Sequence, residues 1–485
     1  MHGSSFFFDE WDFVLHRGIN FNDLMRPHNG HFSLLPVFLF SLTRHIFGLS
    51  NYLPYQVLAI VVHVGVSTAA YFIVRRSSRL IALGVGIVVV CLGSGWQNIL
   101  WPFQIGMMGA FAAGLWAIFV LENETKRPWL VSLLLAVSLA SAGGGIAFAV
   151  VLFCAMLVKR DWQVIRALTP TLGLYAIWYL KYGESQSHNG NLGKTPKYVL
   201  DSALAAGAGI GGRTLIFGAA VLGVVGVLFI QRINERSFVS TKNLIFVFLI
   251  ATWTLTALSR AHLGEPGASR YVYVGAISIL ILAGILLPPF ESLKSSLVIL
   301  PSAILLLIPN LDMMRAGANG LKDTSAHLSA EQAALEQIID EVPADFQFDS
   351  MRAPQLRAGE YLRAVEKFGS PAMSWSRVRA MPAAVIVDVN KTILNATSSF
   401  QLSEQTTCNE DVVQGEVEIS TTETLLIKIA KKQQLGFNWI NRDLSSSFVI
   451  DVNEPGIYSV RNPGLKSKNS LQVSGELQSI SVCKP

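Results

Sequence analysis

The chain has 485 residues, 51% of them hydrophobic and only 15% charged, with a formal net charge of +5. A mean hydropathy of +0.44 excludes an ordinary water-soluble domain, and so small and mixed a charge offers no basic face for nucleic acid. The class is a polytopic α-helical membrane protein with about ten spans and a C-terminal extracytoplasmic α+β domain containing a small β-sandwich.

Four regions are expected in order: 1–51, an external acidic loop and interfacial helix; 52–309, a transmembrane helical domain; 310–382, an extracytoplasmic helical linker; and 383–485, the extracytoplasmic β-sandwich. The first opens on "FFFDEWDFVLHRG", where Asp9, Glu10 and Asp12 follow an aromatic run. Carboxylates beside a membrane cost free energy unless they face water, a cation or a reacting group. Arg17, Arg26, His28, Asn29 and His31 follow within about twenty residues, so two readings stand: a solvated loop rimmed by interfacial aromatics, or an active site. In either, Phe6, Phe7, Phe8 and Trp11 hold the segment at the membrane edge. His28 and His31 have helical spacing for a zinc site with Asp9 or Glu10, but Pro27 and Gly30 disfavour a regular helix there. Residues 32–49 carry Arg44 and His45 in an apolar run, which suits an interfacial helix. Nothing ahead of Asp9 could serve as a signal peptide or first span, so the expectation is a coding sequence that extends upstream of Met1.

Apolar stretches of nearly bilayer-spanning length then recur at 52–74, 80–95, 104–121, 128–142, 144–158, 164–181, 213–231, 243–260, 271–287 and 295–309. The pair around "SAGGG" is short enough that a broken or re-entrant pair would give the same pattern. Basic residues fall on alternate connections, at 75–79, 122–127, 159–166, 231–242 and 291–294, which assigns that side to the cytoplasm. The connections 93–104, 183–197 and 258–271 then face outward, with both termini. "ESQSHNGNLGKTP" reads as ordinary polar loop. Trp96, Gln97, Asn98, Trp101 and Gln104 form an aromatic and amide cluster at the membrane edge, suited to stacking on a sugar or to anchoring a loop. "GAGIGG" lacks the Lys-Ser/Thr of a phosphate loop. His63 is the main ionisable residue inside a span and is expected to pack against a neighbour.

Past residue 310 the pattern becomes amphipathic and acid-rich, with a second helix expected at 354–368. From 383, short β-branched runs such as "AAVIVDV", "ETLLIKIA", "SSFVIDV" and "GIYSV" argue for an antiparallel sandwich. Cys408 and Cys483 fall near its first and last strands and could pair in an oxidising compartment; Cys91 and Cys154 sit in apolar spans. "NKT" and "NAT" fit the glycan acceptor pattern but mean little in a bacterial chain.

"FFFDEWDF", then "RPHNGHFSLLP" and "YLPYQVLAIVVHVGVSTAAYFIVRR", together with "GSGWQNILWPFQIG", resembles the polytopic GT-C glycosyltransferases that use lipid-phosphate-linked sugars, over about residues 6–290. The resemblance implies a multi-pass enzyme of the bacterial cytoplasmic membrane that transfers a sugar from a polyprenyl-phosphate donor to an envelope glycan, lipid or protein acceptor. It implies that Asp9, with Glu10 and Asp12 as further candidates, is the general base; in some members the carboxylate also helps hold a divalent cation, Mg or Mn. The leaving phosphate needs cationic help, for which Arg260 and Arg270 are suited, with His262 and Tyr271 assisting; interfacial snorkelling is the other reading of these arginines. A flippase for a lipid-linked saccharide and a non-catalytic envelope scaffold are the alternatives, the first calling for ionisable groups in mid-span.

Overall fold

Each apolar run read above as a span is helical in the computed structural model, which describes residues 4–123, 127–184, 188–211, 214–232, 239–288, 293–349, 351–405, 409–411, 416–420, 424–441, 444–463, 469–476 and 480–484. Among the described residues, six helical stretches are long and apolar enough to cross a membrane: Leu53–Arg75, Arg79–Leu100, Pro102–Leu121, Thr241–Leu263, Ser269–Leu286 and Val298–Gln337. The apolar helices Leu34–Phe47, Pro128–Leu139, Gly144–Lys159 and Leu215–Gln231 are shorter. Local chemistry sets their ends. Asp161 caps Trp162–Tyr182 by accepting the Val164 N–H at 3.3 Å, and Arg160 before it is left-handed, which stops the preceding helix. A further helix, Thr195–Gly209, falls between the expected sixth and seventh spans.

The chain divides into two compact units that do not follow its linear order. A helical unit holds His16–Ile46 and Leu53–Gly320, while a terminal unit gathers Met1–Leu15, Phe47–Tyr52 and Leu321–Pro485. One continuous helix, Leu293–Gln337, contributes to both in turn.

In the terminal unit, Phe6 and Trp11 are fully buried, with ring centroids 5.6 Å apart. Phe6 also meets Tyr52 at 4.9 Å and Trp11 meets Tyr361 at 5.9 Å. This corrects the expectation of interfacial anchors for these two residues: the rings are core of a folded unit, because Tyr52 and Tyr361 supply aromatic partners from distant sequence. Phe8 remains exposed.

"AAVIVDV" is a second correction. Its β-branched residues suggest a strand, yet Ala383–Ala396 is a helix following Pro382. Val385, Ile386, Val389, Ile393 and Leu394 are buried at helical spacing, and packing of that stripe overrides β-propensity. Nine strands follow: β1 (Phe400–Leu402), β2 (Asn409–Asp411), β3 (Glu416–Ile419), β4 (Thr424–Ile429), β5 (Gln433–Asn441), β6 (Ser446–Val452), β7 (Gly456–Arg461), β8 (Asn469–Ser474) and β9 (Ile480–Lys484). They form two antiparallel sheets, ordered β1-β7-β4-β9-β2 and β3-β8-β5-β6. Phe400 of one sheet meets Phe437 of the other at 5.4 Å. Asn390 of the preceding helix donates to Leu444 O at 2.8 Å, tying helix to sheet. Cys483 on β9 is disulfide-bonded, Cys91 and Cys154 are free thiols, and Cys408 lies outside the described residues.

Candidate functional site

The three opening carboxylates have different surroundings within the terminal unit. Glu10 starts the short helix Glu10–Leu15 and is wholly buried. Its carboxylate accepts the Phe7 N–H at 3.1 Å and the Tyr52 hydroxyl at 2.9 and 3.0 Å, so it holds the turn. Asp9 is half-buried, and its Oδ1 accepts from Gln355 Nε2 at 3.2 Å. The neighbouring Phe8 N–H donates to Arg352 O at 2.7 Å. Asp12, also half-buried, continues the helix. Among the described residues no three His, Cys, Asp or Glu side chains are placed to hold a metal ion.

The basic residues that follow belong to the helical unit. Arg17 is 5% exposed and donates to the carbonyls of Asp23, Arg26 and Pro27 at 3.2, 2.7 and 2.8 Å. Arg26 donates to His16 O at 2.8 Å. Both arginines therefore brace the 16–27 loop. His28 and His31 exchange main-chain hydrogen bonds at 3.0 and 2.9 Å across Asn29 and Gly30, whose φ values are 49° and 73°. This is a tight two-residue turn of the kind Asn-Gly favours, not a helix. The His28 ring lies edge-on to Phe103 at 5.4 Å, and its Nε2 meets Asn29 Nδ2 at 3.1 Å. His31 faces Gly143 so closely that a Cβ there would stand 2.6 Å from its Nδ1. "SAGGG" is thus the turn that admits His31. Burial, then Arg260 and His28, push the His31 imidazole down to about 4, which keeps it neutral.

The 93–104 segment docks on the start of helix Ser269–Leu286. Ser269 Oγ donates to Ser94 O at 2.7 Å, Gln97 N–H donates to Ser269 Oγ at 3.2 Å, and Gln97 Oε1 accepts the Arg270 N–H at 3.3 Å. Trp96 packs against Gly317, and Gln104 is buried. Asn98 is wholly buried; its Nδ2 reaches Met107 Sδ at 3.5 Å, while its Oδ1 has no partner among the described residues.

Arg260 and Arg270 are both half-buried. Arg270 stands 3.4 Å from an exposed Glu265 carboxylate, with its guanidinium 5.0 Å from the Tyr271 ring centroid. Among the described residues, the Arg260 guanidinium meets neither a carboxylate nor any other acceptor, although it stands close enough to His31 and Tyr198 to affect both. Tyr198 packs against Ala257 and Ala261, and its buried hydroxyl has no partner among the described residues, nor has the buried Asn191 Oδ1. Burial first, and then Tyr271, push that phenol up to about 12. His262 Nδ1 meets Asn191 Nδ2 at 3.2 Å, and its ring stacks on His188 at 4.9 Å. Tyr198 and Asn191 were not singled out in the sequence, since the stretch that leads to them reads as plain loop; only the fold brings them beside the arginines. His63, by contrast, has both ring nitrogens engaged, by Tyr273 Oη at 2.7 Å and Val90 O at 3.2 Å.

No family model, no curated protein and no solved structure matches this chain.

Proposed function

We propose that the protein is an integral-membrane glycosyltransferase of the bacterial cytoplasmic membrane, with about ten spans and its terminal unit outside. It takes a sugar from a polyprenyl-phosphate donor and passes it to an envelope glycan, lipid or protein acceptor. The observation that carries this reading is Arg260, a half-buried guanidinium that meets no anion among the described residues, grouped with Arg270, a neutral His31 and a Tyr198 hydroxyl that has no partner among them. A cation in this position can take an anion, and a guanidinium fits phosphate oxygens bidentately.

Asp9 is assigned as the base. It takes the proton of the acceptor hydroxyl, the oxygen attacks the anomeric carbon, and the bond from that carbon to the phosphate oxygen breaks with its electron pair leaving on the phosphate. Within the helical unit, Arg260 and Arg270 are the groups suited to binding the donor phosphate. Glu10, committed to Tyr52 and the Phe7 amide, is structural in this scheme.

The test is transfer by the full chain in nanodiscs, supplied with polyprenyl-phosphate monosaccharides and membrane acceptors. Asp9→Asn should lower the rate by ~10²–10⁴ with the protein still folded. Full activity in Asp9→Asn at equal protein level would overturn the assignment.

A further inference from the structure

Arg352 in the terminal unit stands among three carboxylates. Its Nη1 is 3.2 Å from Glu331 Oε1, 2.9 Å from Asp349 Oδ2 and 3.1 Å from Asp388 Oδ2. The three acids come from three elements: the long helix, the loop that bears Arg352 itself, and the helix Ala383–Ala396. His327, one turn before Glu331, places Nδ1 2.7 Å from the same Asp388 oxygen, and Asp323 lies 3.9 Å from its Nε2. Further along the helix, Glu336 accepts from Tyr361 and Ser370. The Glu331 side chain is 3% exposed.

The loop gripped in this way reaches the acidic opening at two points. Arg352 O accepts the Phe8 N–H, and Gln355, three residues on, donates to Asp9 Oδ1. We propose that Arg352 is a positioning residue: through the 349–357 loop it holds Phe8 and Asp9 in place, and the carboxylates that hold Arg352 make that grip depend on pH.

The sign follows from linkage. Burial, and after it Asp349 and Asp388, push the Glu331 carboxyl up to about 8 against the pull of Arg352. At neutral pH the cluster therefore holds a neutral Glu331 beside two carboxylates. Any opening of the loop that lets water reach Glu331 restores its ordinary value, so opening is favoured as pH rises. One proton linked to opening raises the opening constant about tenfold per pH unit from about 5 to about 8, above which it levels off. A catalytic consequence for Asp9 rests on the transferase reading; the grip on the segment does not.

The experiment is hydrogen exchange on the full chain in nanodiscs from about pH 5.5 to 8.5, with protection corrected for the intrinsic pH dependence of exchange. In the native chain, protection of segments 6–14 and 349–357 should fall together, by about tenfold per unit up to about pH 8. Glu331→Gln, which fixes the neutral form, should flatten both profiles while keeping the fold. Arg352→Gln should lower protection of both segments at every pH; if it does not fold, Arg352→Lys should show the smaller loss. A native profile for 6–14 that is flat with pH, or one that Glu331→Gln leaves unchanged, overturns the proposal. So does a 349–357 loop that opens while 6–14 stays protected. These readings come from exchange alone, so they stand whether or not Asp9→Asn abolishes transfer.

Discussion

Arg352 and Arg260 are both partly buried guanidiniums, one in each unit, and they differ in company. Arg352 is shared by three carboxylates, whereas Arg260 has none among the described residues. Arg17 is a third case, a buried cation solvated by three main-chain carbonyls. The difference separates three uses of one side chain. Arg17, which donates to three carbonyls, fixes a loop. Carboxylate-bound Arg352 joins elements in a way that pH can loosen. Arg260 holds binding capacity that no described residue uses.

The contrast is broken most severely at Arg352. Arg352→Ala leaves Glu331, Asp349 and Asp388 without the guanidinium that joins their three elements. A large drop in the thermal midpoint of the full chain, with the loss confined to the terminal unit in exchange experiments, is expected. An unchanged midpoint would place Arg352 with the uncommitted cations.

A smaller effect separates the units by the sign of their pH response. Glu331, raised to about 8, makes the terminal unit lose stability as pH climbs from about 4.5 to 8, because the unfolded chain releases that proton first. His31, lowered to about 4, makes the helical unit lose stability as pH drops from about 6.5 toward 4, because the unfolded chain binds the proton first. Exchange protection followed separately in the two units should show opposite slopes. Parallel slopes would remove the distinction.

Much of the fold was legible because apolar runs near bilayer length report themselves, and because strands such as Thr424–Ile429 alternate. The helix Ala383–Ala396 was not, since seven residues rich in Val and Ile fit either period until Asn390, Ile393 and Leu394 extend the stripe. The turn at Asn29-Gly30 had a local signal in its dipeptide, one that helical spacing of the two histidines obscured. The candidate site was legible only as types of residue. Arg17 and Arg260 look alike in sequence, and nothing local shows that the first donates to carbonyls while the second meets no acceptor among the described residues. Pairings such as Asp9 with Gln355, 346 positions apart, belong to the tertiary structure alone.

The most direct test of the account is at Arg260, where the smallest structural effect should accompany a clear functional loss. Surface-like substitutions without broken partners usually change stability by less than about 0.5 kcal/mol, so Arg260→Ala should keep its thermal midpoint. Binding of a polyprenyl phosphate to the full chain in nanodiscs should weaken by about tenfold or more, the loss of ~1.5–3 kcal/mol expected for a hydrogen bond to a charged group. Equal affinity in native chain and variant, at equal stability, would contradict the phosphate role of Arg260 and with it the observation on which the transferase reading stands.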